Sequence, residues 1–119
     1  MLTPNPTNPA TQRAVAAYFD QLEAQLAVEE ARCPEGSIAY VTTMKLKRML
    51  AMQRDLSERL ATMTFANAGA LAREGFARQA EIAEVAREAA ALMQEGGFDY
   101  DRGFYQMALD AMSQQPPTS

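Results

Sequence analysis

From Ile38 to Phe65 the chain runs without a single proline or glycine, and that uninterrupted stretch limits the folds open to it. Its large apolar residues include Ile38, Val41, Met44, Leu46, Met49, Leu50, Met52, Leu56, Leu60 and Met63. From Met49 onward the series 49, 52, 56, 60, 63 advances by threes and fours, close to a coiled-coil seam. A stripe this wide belongs to a central helix that meets partners on more than one side. The β-branched run Val41, Thr42, Thr43 lowers local helix propensity without overturning the pattern. Ser37 is placed to cap the helix.

The flanking segments read as helices too. Val15, Phe19, Leu22 and Leu26 follow a 4-3-4 spacing that puts them on one face of a first helix, with Tyr18 widening the stripe. Thr7 or Asn8 is a candidate cap, Pro9 suits the first helical position, and Pro34 with Gly36 stops the helix. Asn67 and Gly69 favour a turn after the second helix. A third helix is expected from about Ala70 to Glu95, with Leu71, Phe76, Ala80, Ala83, Val85 and Leu92 directed inward. Ile82, Ala86, Ala89 and Met93 lie beside that face. Gly96 and Gly97 supply a left-handed stop. Asp99 can cap a shorter fourth helix to about Ser113, whose apolar face is Tyr100, Phe104, Met107 and Ala111.

No strand-like alternation and no repeat of 20–50 residues appears. The expectation is therefore all-α: three long helices plus a short C-terminal one, as an antiparallel helical bundle or a helical-hairpin dimer. Residues 1–8 form a flexible lead-in, 9–113 a single helical domain and 114–119 a disordered tail. The start of the chain lacks the basic and apolar regions of a secretory signal. One cysteine, Cys33, allows no internal disulfide. Both point to a reducing, cytoplasmic setting.

Histidine is absent. Ser-His-Asp and Cys-His catalysis, Cys/His zinc sites and the Glu-x-x-His motif of di-iron bundles are thereby excluded. No Walker loop or GxGxxG sequence occurs. The glutamates fall mainly on polar helix faces, so no catalytic residue, cofactor or metal is expected. Asp99, Asp101 and Asp110 share some spacing with a calcium loop. The comparison fails at Gly103, which stands one position early for the required glycine.

Two surfaces remain. Eight methionines suit an adaptable binding surface. A partner-binding or self-association site is expected at Met49, Met52, Leu56, Leu60 and Met63, with Tyr100, Phe104 and Met107 on the last helix. The alternative is a nucleic-acid contact through Lys45, Lys47, Arg48 and Arg54. Against it stands a balance of 11 basic to 15 acidic residues, which favours pairing of these cations with acidic faces of the first and third helices. A small-molecule pocket lined by Tyr18, Phe19, Phe104 and Tyr105 is a third option.

In size and composition the chain resembles small acidic helical proteins such as secretion chaperones, anti-activators and phage- or plasmid-encoded regulators. That likeness assigns no function. The long seam of the second helix, the methionine- and alanine-rich faces and the lack of a catalytic constellation lead to the expectation of a non-enzymatic adaptor or regulator that binds another protein and forms a homodimer. The lack of any apolar run of about 20 residues leads to that of no membrane partner.

Overall fold

The computed structural model describes residues 9–95 and 102–113. They form four helices: α1 Pro9–Arg32, α2 Ile38–Leu60, α3 Ala68–Glu95 and α4 Arg102–Ser113. No strand occurs among the described residues. The expected lead-in, the C-terminal tail, the candidate caps Thr7, Asn8 and Asp99, and the segment holding Gly96, Gly97 and Tyr100 lie outside them.

Local chemistry sets the boundaries. Cys33 closes α1 by donating its N–H to the Glu29 carbonyl at 3.1 Å. The chain then reverses through Gly36, whose φ of 81° is left-handed and open to glycine at little cost. Ser37 caps α2, its hydroxyl accepting from the Tyr40 N–H at 3.1 Å. At the other end α2 stops at Leu60, short of the expected Phe65. Thr62 donates its hydroxyl to the Arg59 carbonyl. Thr64 and Asn67 then exchange backbone-to-side-chain bonds, Thr64 N–H to Asn67 Oδ1 at 2.6 Å and Asn67 N–H to Thr64 Oγ1 at 3.3 Å. That reciprocal pair makes a separate turn of the boundary and starts α3 at Ala68.

Helix α2 is the hub. It packs against α1, α3 and α4, and α4 packs against α3 as well. The ion pairs give the directions: Lys47 meets Glu30 and Arg54 meets Asp20 on α1, while Lys45 meets Glu88 and Arg59 meets Glu74 on α3. Both neighbours therefore run antiparallel to α2. One core joins all four helices, with Phe19 and Leu26 from α1, Leu46 and Met49 from α2, Ile82 and Val85 from α3, and Tyr105 and Leu109 from α4. Burying side chains of this size stabilises by about 1.5–3 kcal/mol each.

Two helices are rotated from the expected orientation. On α3 the buried residues are Ile82, Val85, Ala89 and Met93, while Phe76 is 76% exposed and Ala80 and Ala83 face solvent. On α4 the inward face is Tyr105, Ala108, Leu109 and Met112, with Met107 exposed. In α3, alanines on several sides blur the 3.6-residue period. In α4, Phe104 and Tyr105 are adjacent and both large, so size alone does not mark the inner face.

Gly75 faces α2, where an added Cβ would lie 3.6 Å from the Leu56 Cδ1, an ordinary contact. Helix propensity then decides the outcome. Gly75→Ala is expected to stabilise the protein by up to about 1 kcal/mol, raising the urea midpoint with an unchanged slope; a lowered midpoint would show that α2 and α3 need the closer approach.

Candidate interaction surface

The expected seam is divided between core and surface. Met49, Met52 and Leu56 are buried inside this chain's own bundle, where the side chains of α1, α3 and α4 already cover α2. They cannot meet a second molecule without opening the fold. Leu60 is half-buried and Met63, in the turn beyond α2, is 37% exposed. Phe104 is half-buried against the core and Met107 is exposed. Tyr100 falls outside the described residues.

The basic strip is also split. Lys45 points to one side of α2 and binds Glu88 at 3.5 Å. Lys47 and Arg54 point to the other side, Lys47 to Glu30 at 2.6 Å and Arg54 to Asp20 and Glu23. Hydrogen bonding to Asp20 raises the Arg54 guanidinium above its ordinary value. Of the four cations, Arg48 alone forms no ion pair among the described residues. Neutralised cations on two separate faces make a poor track for phosphates, whose affinity depends on free positive charge.

Of the four aromatics of the expected pocket, only Phe19 lines either of two grooves beside α2. Tyr18 lies at the surface, Phe19 and Tyr105 in the core. Grooves do flank α2. One of ≈ 240 Å³ lies between α2 and α3 over Leu56, Leu60 and Leu71, bordered by Arg59, Glu74 and Arg78. Another of ≈ 200 Å³ lies between α1 and α2 over Val15 and Phe19. No group of three or more His, Cys, Asp or Glu side chains converges among the described residues.

One buried polar cluster fixes α4. Thr43 donates its hydroxyl to the Ala39 carbonyl at 2.8 Å, which leaves its oxygen to accept from the Tyr105 phenol at 2.6 Å. The Cys33 sulfur lies 3.5 Å from the same phenol. Gln53 donates to the Met112 carbonyl at 2.7 Å, tying the far end of α4 to the middle of α2. The contacts of Tyr105 and Met112 join segments far apart in sequence, and each buried polar group satisfied here would otherwise cost about 1–3 kcal/mol.

Sequence reasoning missed the most exposed apolar residues. Phe65, in the α2–α3 turn, is 103% exposed, and Phe76 stands on the outer side of α3. Around Phe76 the exposed residues include Gly69, Ala72, Arg73, Ala80, Ala83 and Arg87, with Ala77 and Glu84 at the edge. A surface helix ordinarily carries its charges opposite its core face. Here Glu74, Glu81 and Glu88 lie together on the flank beside α2, where Glu74 and Glu88 bind its cations. The outer face is left apolar and basic.

Compared with protein-family models, with curated proteins and with solved structures, the chain matches none.

Burial pushes the Tyr105 phenol above its ordinary 10.0, and the Cys33 contact adds to the rise. The unfolded chain therefore ionises first, and the phenol's contribution to stability is complete below about pH 10 and lost as pH climbs toward the folded value. Tyr105→Phe is expected to cost about 1 kcal/mol at neutral pH and to flatten the decline above pH 10, as read from urea unfolding across pH 8–11. An identical alkaline decline in wild type and variant would remove Tyr105 as its source.

Proposed function

We propose that this protein is a non-enzymatic helical docking module, an adaptor or regulator that binds another protein through the α2–α3 turn and the outer side of α3. One observation carries the reading: two phenylalanines, Phe65 and Phe76, stand in water on a chain whose other phenylalanines within the described residues, Phe19 and Phe104, contribute to the core. Exposed aromatics on a rigid helical frame are the usual anchors of a protein interface. The absence of histidine supports a non-catalytic role.

Self-association belongs to the same reading. It has to use exposed side chains such as Met63, Phe65, Phe76 and Met107, because Met49, Met52 and Leu56 are consumed inside the chain. The single cysteine favours a reducing compartment, and we place the protein in the cytoplasm on that ground. No described helix is long and apolar enough to cross a membrane.

The test compares wild type with Phe65→Asp/Phe76→Asp as full-length baits in native-host extract, quantified by mass spectrometry, alongside solution mass by sedimentation. Both positions are exposed, so the variant is expected to keep its melting temperature within a few degrees, since surface changes are usually within about ±0.5 kcal/mol. Loss of a wild-type-specific partner, or of a wild-type dimer, supports the proposal. An unchanged set of captured proteins together with an unchanged mass overturns it.

A further inference from the structure

The outer face of α3 carries a charge pattern that narrows the partner. At about 100° per residue, Gly69, Ala72, Arg73, Phe76, Ala80, Ala83 and Arg87 fall within an arc of roughly 100°, opposite the buried Ile82, Val85, Ala89 and Met93. An added Cβ at Gly69 would lie 3.8 Å from Arg73 Nη1, which places that guanidinium back along this same face. Arg73 and Arg87 stand two heptads apart, about 21 Å along the axis. Neither makes an ion pair among the described residues, whereas Lys45, Lys47, Arg54, Arg59 and Arg78 all do. No carboxylate lies within the arc; Glu84 stands at its rim.

Helix propensity accounts for the alanines. It does not account for Phe76, a weaker helix former than the alanines around it, placed between two cations that make no ion pair among the described residues. Small residues let a second helix approach to the 8–10 Å of packed helices, and Phe76 supplies the one large anchor. Two copies of this face brought together would set four guanidiniums in one contact, with carboxylates only at the rim. Charge therefore disfavours a second copy and favours an acidic occupant.

We propose that the outer face of α3, centred on Phe76, receives an amphipathic helix of a partner protein, its small or apolar strip on Ala72, Phe76, Ala80 and Ala83 and its carboxylates on Arg73 and Arg87. The inference rests on the reading of this protein as a docking module and adds the chemistry of the bound element.

The probes are two synthetic helical peptides of about six turns, matched in a leucine- and alanine-rich strip, one flanked by glutamates and the other by lysines at the same positions. Each is titrated into the full isotope-labelled chain and followed by amide shifts. The acidic peptide is expected to move the amides of residues 72–87 and to bind at least tenfold more tightly than the basic one, an advantage that shrinks with added salt. Arg73→Glu/Arg87→Glu is expected to reverse the preference while leaving the circular-dichroism spectrum and melting temperature unchanged. Absence of shifts on α3 with either peptide overturns the inference, as does equal binding of both or a preference insensitive to the double reversal. A concentration-dependent dimer abolished by Phe76→Glu would also overturn it, by making a second copy the occupant. In every overturning case, continued loss of a native partner in the Phe65/Phe76 variant would leave the broader docking reading standing.

Discussion

The fold depends on one constraint: α2 has to be covered on three sides by helices that carry few large side chains. Leu46, Met49, Leu50 and Leu56 form its buried face, and α1, α3 and α4 each bring a small set of apolar residues to it. Alanine adds only Ala89 and Ala108 to the core cluster, with Ala86 and Ala90 packed against it. With so few large residues on each covering helix, directional contacts add to apolar burial in setting how each helix is turned. Arg54 and Lys47 hold the angle of α1, Lys45 and Arg59 that of α3, and the Tyr105 phenol that of α4. Exposed ion pairs are worth little singly. Placed on both flanks of one helix, they favour the same rotation that buries Ile82 and Val85.

That division explains what could be read from the chain. The four helices and most of their ends were legible, because Ser37, Pro34 and Gly36 act within a few residues of where they stand. The inner face of α1 was legible too, since Val15, Phe19, Leu22 and Leu26 contrast clearly with their neighbours. So was the pairing of helix 2 cations with acidic faces on either side. The inner face of α3 was legible only in part, with Val85 expected inward and Ile82, Ala89 and Met93 beside it, and that of α4 was not. In α3, Phe76 is the largest residue and points outward, while Ala89 points inward. In α4, the choice between Phe104 and Tyr105 turns on a hydroxyl whose partners, Thr43 and Cys33, come from other segments. Local period carries no information about such partners. The candidate site inherited the same blind spot: the expected seam residues Met49, Met52 and Leu56 answered to the bundle's own needs, and the exposed surface lay on the face assigned to the core.

The sorting of charge on α3 follows from the demands of α2 and leaves a consequence on the opposite side. Glu74, Glu81 and Glu88 recur at heptad intervals along the flank beside α2, where cations await them. A helix that commits three of its glutamates to one flank leaves fewer for its outer face, which carries small residues, two arginines and Phe76, with Glu84 at its rim. Leaving a phenylalanine in water forgoes about 1.5–3 kcal/mol of burial, a large share for a domain whose total stability is of order 5–15 kcal/mol. In a chain so short of large apolar side chains, turning α3 to bury Phe76 would break the Arg59–Glu74 and Lys45–Glu88 pairs together and withdraw Ile82 and Val85 from the core. The observed rotation is therefore the stable one for the isolated chain, and the exposed phenylalanine is held outward by the same contacts that hold the fold together. A partner that covers it gains its burial without competing with the core, which is the physical advantage of placing an anchor on the rigid outer side of a helix.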